Sequence, residues 1–210
     1  AEVTTAELWA ELRDRMQTEH VLWGESQGIP EDIQRYLSIG YKADKMYYDG
    51  EHLERHSPAY TIPWFGTNFT FKTMQYRLCG EGIADRYRFE YGLDGGGKHY
   101  YMADPAEPIK DRVIICEGAK KAIVTWFHLA NITDFTVIAA SSNNTLGPAL
   151  AATKDCGQRF IILDPGSERR AFTVAKDHKV KAVYLPEKID DAVINDHLDR
   201  ESFQKILRML

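Results

Sequence analysis

The chain has 210 residues, which is enough for one large domain or two small ones with a substantial hydrophobic core. Its net charge of −5 excludes a protein that coats duplex DNA through positive charge alone, although metal-binding carboxylates would also lower the total. We expect neither a membrane span nor a signal peptide, because no apolar run has the required length or flanks. The three cysteines form no CxxC pair and no zinc-binding spacing, so we expect a reducing, cytoplasmic compartment.

Two short helices are predicted near the start of the chain. The first begins at Thr4, which forms a capping box pattern with Glu7. The second begins after Pro30 and ends at Gly40, which are residues typical of the two ends of a helix. We interpret both helices as packing elements.

An antiparallel sheet of about four strands is predicted between residues 59 and 102. Glycine-rich turns separate apolar, β-branched and aromatic runs, which is typical of a meander. The predicted strands are 60–65, 72–78, 86–91 and 99–102.

Basic and aromatic residues alternate along these strands. Such a surface could hold single-stranded nucleic acid through phosphate contacts and base stacking. The pattern fits a half-buried sheet with a solvated charged face equally well, and nearby acidic residues dilute the positive charge. Both interpretations stay open. The candidate nucleic-acid or nucleotide contacts are Lys72, Arg77, Arg86 and Arg88.

Strands and helices alternate from residue 112 onwards. Strands are predicted at 112–116, 135–140, 159–163 and 180–185, and Asp199 is the predicted cap of a last helix. Successive β-α units predict a parallel sheet with helices on both faces. We therefore predict an α/β protein with two parts. A small α+β antiparallel subdomain would occupy residues 1–108, and an α/β domain would occupy residues 109–210.

Acidic side chains follow three of the predicted parallel strands. Glu117 follows the first strand, Asp164 follows the third, and the pair Asp190-Asp191 lies beyond the fourth. The carboxyl ends of parallel strands meet at one edge of the sheet. Clustered carboxylates raise one another's pKa, and a bound divalent cation relieves that cost. Each acid alone also fits a turn or a helix cap, but together they favour a Mg²⁺ or Mn²⁺ site.

Gly118 and two lysines follow the first acid. Gly118 allows a tight turn after the strand, and Lys120 and Lys121 fall in the first turn of the next helix. Positive charge is unfavourable there unless an anion lies nearby, so a bound phosphate is one explanation. The alternative is that both side chains extend into solvent. The polar loop at 141–145 is a second candidate for phosphate or nucleotide contact.

The order of Glu117-Gly118, Asp164 and then Asp190-Asp191 resembles the TOPRIM domain, a Rossmann-like module of bacterial-type primases, topoisomerases and certain nucleases. The version of the first motif that has Lys120-Lys121-Ala122 after the glycine looks like the primase-like TOPRIM proteins of phages and other mobile elements. The strands at 60–65 and 75–78 resemble those that precede TOPRIM in primases.

The resemblance implies roles for the acidic and basic residues. Glu117 would act as the acid/base residue or position the metal, Asp164 would be a ligand of Mg²⁺ or Mn²⁺, and Asp190 or Asp191 would complete the site. Arg77 and Arg86 would hold the template or a nucleoside triphosphate.

One motif departs from the family pattern. The family usually has Asp-x-Asp after the third strand, whereas this chain has Asp164 followed by proline and Gly166. Glu168 or the Asp190-Asp191 pair would then have to supply the missing ligand. Otherwise the site would hold one metal firmly, or the activity would be weak.

We therefore predict a metal-dependent DNA primase, or its catalytic core, that makes RNA primers on single-stranded DNA from nucleoside triphosphates. The resemblance also implies an origin in a phage or another mobile element, and a replicative helicase as partner in the same or another chain. Two alternatives remain: a TOPRIM nuclease that cleaves phosphodiesters, and a non-catalytic module that binds nucleic acid or associates with a helicase.

Overall fold

The computed structural model describes residues 18–90, 93–130 and 134–210, so the helix predicted to begin at Thr4 lies outside the described residues. The chain divides into two units. The first lies within residues 1–64 and 71–95, and the second lies within residues 65–70 and 96–210. In the part of the chain that is described, no helix is long and apolar enough to span a bilayer.

The first unit is built on a four-stranded antiparallel sheet with the strand order β1-β2-β3-β4. Two short helices precede the sheet in the chain. Its elements are α1 Thr18–Ser26, α2 Glu31–Tyr36, β1 Gly40–Tyr48, β2 Glu54–Phe65, β3 Phe71–Leu78 and β4 Tyr87–Phe89.

Aromatic stacking holds α1 against the sheet of the first unit. The Trp23 ring stacks on Tyr60 at 3.7 Å between centroids, and His20 stacks on Tyr41 at 3.5 Å. The buried side chain of Gln34 donates hydrogen bonds to the main-chain carbonyls of residues 21 and 29, which fixes α2 to α1. These contacts explain how the two helices are held in place although they have few apolar residues of their own.

A buried polar network joins β1 to the chain just after β4. The Lys45 ammonium lies 3.0 and 3.1 Å from the two carboxylate oxygens of Glu90, and the Tyr76 hydroxyl donates to the same carboxylate. Burial acts to raise the pKa of Glu90, but the bonds from Tyr76 and Lys45 outweigh it, so the pKa lies below its ordinary value. Burial raises the pKa of Tyr76.

The second unit contains a five-stranded sheet with the strand order β5-β7-β6-β8-β9. Strands β6 to β9 are parallel, and β5 runs antiparallel to β7. Its strands are β5 Tyr101–Met102, β6 Arg112–Glu117, β7 Thr136–Ala140, β8 Gln158–Ile162 and β9 Lys181–Val183. Its α-helices are α3 Ala119–Val124, α4 Gly147–Ala152, α5 Glu168–His178, α6 Ile189–Ile194 and α7 Arg200–Met209. Short 3₁₀ turns occupy Thr67–Phe69 and Gly96–Lys98.

The central strands of this sheet are apolar and fully covered. Residues 113–116 of β6 are 0% exposed, and every residue of β7 is buried. Strands covered on both faces carry continuous apolar runs rather than alternating ones. Glu117 is the first residue after this run that is not fully buried, so the end of the apolar run marks the edge of the sheet.

Several elements differ from the sequence prediction, and α2 ends at Tyr36 rather than at Gly40, which begins β1. Strand β1, Gly40–Tyr48, was not predicted, because its charged residues and a register shift between Lys42 and Lys45 hide the alternation. The strand predicted at 99–102 shrinks to Tyr101–Met102 and joins the second sheet beside β7, so the first sheet gains one strand and loses another. Such a short strand carries no pattern that specifies its partner. The α/β fold class is confirmed.

The helix after β6 changes its hydrogen-bonding pattern halfway. Helix α3 continues as a π-helix over Thr125–Leu129. The Arg200 guanidinium donates to the carbonyl oxygens of Phe127 and His128 at 3.2 Å. Arg200 thus satisfies carbonyls at the end of the helix, where the regular ladder stops.

Candidate active site

Glu117 lies at the carboxyl end of the central strand β6 and leads into a tight turn. Gly118 has φ +90° and ψ 142°, a conformation that residues with a side chain rarely adopt. Its N–H donates to the Ala140 carbonyl at 2.8 Å, which ties the turn to β7. The turn therefore places the partly buried Glu117 carboxylate at the edge of the sheet.

Asp164 follows β8 and begins a second turn at the same edge. The Ser167 N–H donates to the Asp164 carbonyl at 3.0 Å, and Gly166 has φ +90°. The main-chain nitrogen of Asp164 lies 3.5 Å from Glu117 Oε2. Asp164 and Glu117 are therefore neighbours, as expected for two acids that follow adjacent parallel strands.

Glu168 takes part in this turn rather than in the acidic group. Its Oε1 accepts a hydrogen bond of 2.8 Å from the Gly166 N–H, and the residue is exposed. This main-chain bond lowers the pKa of the Glu168 carboxyl. The geometry gives Glu168 a role in closing the turn before α5, and its hydrogen bond is with Gly166 and not with Asp164.

Lys121 is paired with Asp164. Its Nζ lies 2.7 Å from Oδ1 and 2.9 Å from Oδ2, and the exposed Lys188 lies 3.8 Å from Oδ2. Burial acts to lower the pKa of Lys121, but the hydrogen bond to Asp164 and the charges of Asp164, Asp190 and Glu117 outweigh it, so the pKa is raised. Lys188 was not singled out in the sequence, although its position just before α6 could have indicated it.

Lys120 is paired with Asp190. Its Nζ lies 2.7 Å from Asp190 Oδ2, and the Asp190 side chain is only 2% exposed. Asp190 Oδ1 is buried and has no hydrogen-bond partner in the described part of the chain. Asp191 is exposed in the first turn of α6, so of the two adjacent aspartates Asp190 is the one that pairs with the partly buried Lys120.

The polar loop at 141–145 is bonded to itself and to its neighbours. The Thr145 hydroxyl bonds to Ser141 and Ser142, and the Asn143 amide donates to Ser167 Oγ at 3.0 Å. The loops that follow β7 and β8 are thereby joined. The loop's polar groups support the acidic edge, and the geometry gives no separate indication of a phosphate contact.

The described residues do not fit a divalent cation as they stand. Both oxygens of Asp164 face Lys121, and one oxygen of Asp190 faces Lys120. Within residues 18–90, 93–130 and 134–210, no three His, Cys, Asp or Glu side chains are grouped to hold a metal ion. The sequence indicated the carboxylates, but it did not indicate that the lysines would be their partners.

The predicted nucleic-acid contacts of the first unit have different surroundings. The Arg77 guanidinium stacks on the Trp23 ring at 4.8 Å, and Arg88 forms an ion pair with Asp85. Lys72 is half-buried, whereas Arg86 is exposed. A groove of about 440 Å³ lies beside Arg88, and the basic and aromatic residues in its lining are Lys42, Lys45, Tyr47, Tyr48, Arg88 and Phe89.

No family model matches the sequence, and the comparison with curated proteins finds no match. Solved structures do match. The zinc-binding and RNA polymerase domains of the Aquifex aeolicus primase align over 99% of this chain and 62% of that one, with 13% identity and a TM-score of 0.72. A DNA primase domain from Pseudomonas aeruginosa aligns over 97% of this chain and 76% of that one, with 13% identity and a TM-score of 0.71.

A DnaG primase catalytic domain bound to single-stranded DNA aligns over 97% of this chain and 79% of its own length, with 14% identity and a TM-score of 0.67. The chain has the fold of a DnaG primase catalytic core. The predicted TOPRIM-type fold, with an antiparallel part before it, is confirmed. This chain spans about 62% of the Aquifex structure, and identities this low concern the fold, so residue roles depend on the geometry above.

Proposed function

We propose that this chain is the catalytic core of a DNA primase, which joins ribonucleotides on a single-stranded DNA template. The observation that carries the proposal is the position of Glu117 in a primase-core fold. Its carboxylate ends the central strand, and no lysine or arginine of the described residues forms an ion pair with it. A partly buried carboxylate at this edge of the sheet is placed to orient or deprotonate a hydroxyl.

In the proposed reaction, the 3′-hydroxyl of one nucleotide attacks the α-phosphate of the next. The new P–O bond forms as the bond to the β-phosphate breaks, and pyrophosphate leaves. Glu117 accepts the hydroxyl proton or orients the hydroxyl. Lys120 and Lys121 lie at the same edge and would stabilise the charge on the phosphates only where the phosphates displace Asp190 and Asp164 as their partners. The resemblance implies dependence on Mg²⁺ or Mn²⁺. This dependence is not part of the proposal, because the carboxylates of Asp190 and Asp164 already form ion pairs with Lys120 and Lys121.

We assign the template to the groove of the first unit. The exposed Tyr48 and the partly exposed Lys42 and Arg88 line it, and this combination suits stacking on bases together with contact to phosphates. Arg88 lines this groove and pairs with Asp85, whereas the Arg77 guanidinium is stacked on Trp23. One of the similar primase structures was solved with single-stranded DNA, which supports this choice of partner.

Primer synthesis tests the proposal. The chain is incubated with single-stranded DNA and labelled ribonucleoside triphosphates in EDTA, Mg²⁺ or Mn²⁺. We expect short oligomers from the wild type and a loss of about 100-fold or more in Glu117→Gln. Glu201→Gln, an exposed change on α7, is the matched control. Absence of oligomers under all three conditions, or full activity of Glu117→Gln, would contradict the assignment.

A non-catalytic module is the second candidate, and the lysine pairs favour it. Because Lys120 and Lys121 neutralise Asp190 and Asp164, the chain could keep the fold for binding alone. In that case single-stranded DNA would bind normally while no primer forms, and association with a replicative helicase in the same or another chain would be its role. Measuring DNA binding and synthesis on the same preparation separates the two candidates.

A further inference from the structure

The lysine-carboxylate cluster, which comprises Lys120, Lys121, Asp164 and Asp190, is electrically balanced. It holds two ammonium and two carboxylate groups, so their charges cancel. A site that recruits a divalent cation depends on uncompensated negative charge. The cluster offers a cation much less attraction than the same two aspartates would offer alone.

We infer that Lys120 and Lys121 take the place of a divalent cation at this edge of the sheet, so that the folded chain excludes Mg²⁺ and Mn²⁺ there while both ion pairs are intact. The inference rests on the proposed function only for the choice of these two ions.

Burial makes the ion pairs hard to displace. The side chains of Lys120 and Lys121 are 18% and 16% exposed, and those of Asp164 and Asp190 are 23% and 2% exposed. Sheltered pairs are screened little by solvent, and separating them leaves buried charge without a partner. An entering cation would also face the two ammonium groups that project from the first turn of α3.

Few carboxylate oxygens of the described residues remain free of a lysine at this edge. Asp190 Oδ1 has no hydrogen-bond partner in the described residues, and the Glu117 carboxylate accepts only one long contact, from the Asp164 N–H at 3.5 Å. Mg²⁺ demands near-ideal octahedral geometry and is usually bound through one or two carboxylates together with several waters. Removing the lysines would free the remaining oxygens of both aspartates, which is why the lysines decide whether a cation binds.

The decisive variant is Lys120→Met/Lys121→Met, because methionine keeps most of the apolar stem and removes the charge. Mn²⁺ binding is measured by electron paramagnetic resonance and by the shift in melting temperature, without nucleotide or template. We expect no binding and no shift in the wild type. We expect the double variant to have a lower melting temperature in EDTA, to regain several degrees in Mn²⁺, and to bind Mn²⁺ at least about tenfold more tightly than the wild type.

Controls make each outcome decisive. Lys176→Met removes an exposed lysine of α5 and should behave as the wild type. If the double variant does not fold, Lys121→Met alone serves, because Asp164 is partly exposed and tolerates the loss better than Asp190. The inference is wrong if the wild type binds Mn²⁺ and Asp164→Asn abolishes that binding, or if a folded lysine variant gains none. Neither readout involves primer synthesis, so failure here is distinct from failure of the proposed function.

Discussion

Each unit pairs a buried or partly buried lysine with a carboxylate, but the two units differ in how completely the oxygens of that carboxylate are hydrogen-bonded. In the first unit, both oxygens of Glu90 accept bonds from Lys45, and Tyr76 adds a further donor. In the second unit, one carboxylate oxygen of Asp190 pairs with Lys120. The other oxygen is buried and has no hydrogen-bond partner among the described residues. A fully satisfied network stabilises one structure, whereas a group that lacks a partner signals a place where something else can bind.

This difference separates a structural ion pair from a functional one. The Lys45 network links β1 to the chain after β4 and needs no ligand. The lysine-carboxylate cluster lies beside the Glu117 carboxylate, since the main-chain nitrogen of Asp164 contacts it. This is the edge of the sheet where α/β proteins bind their ligands. We therefore expect substitutions in the two networks to have different costs.

The largest effect is expected for Lys45→Met. The change leaves Glu90, whose side chain is 23% exposed, with Tyr76 as its main remaining donor. Breaking a buried pair on one side is costly, so the free energy of unfolding should fall by about 3 kcal/mol or more. Urea-induced unfolding followed by tryptophan fluorescence measures this, with Lys72→Met on β3 as the control. A loss no larger than that of the control would mean that the network contributes nothing.

A smaller effect is expected for Asp190→Asn. The change removes the charge that Lys120 faces, but the lysine side chain is 18% exposed and can turn towards water. We expect a loss of about 1 to 2 kcal/mol in the same urea titration. A loss as large as that of Lys45→Met would remove the contrast between the two networks.

The sequence predicts some of these features and not others, for physical reasons. The apolar run at 113–116 predicts a buried strand, and the Glu117-Gly118 pair after it predicts the turn, because both signals are local. The pairing of Lys121 with Asp164 depends on two turns that are 43 residues apart in the chain. The stacking of Arg77 on Trp23 depends on the docking of α1. A linear pattern shows which residue types are available, but it does not show which side chain meets which.

The smallest effect is expected for Glu90→Gln, and its effect on the melting temperature should depend on pH. Because the pKa of Glu90 is lowered in the folded chain, its network stabilises the fold above the ordinary carboxyl range. That contribution is lost as pH falls through the folded pKa, since the unfolded chain then binds the proton more readily. Glu90→Gln should therefore lower the melting temperature at pH 7 and bring the variant and the wild type closer together below about pH 4. Thermal unfolding of both proteins from pH 7 to pH 3 checks this, and a gap that widens on acidification would show that Glu90 is not held ionised by Lys45 and Tyr76.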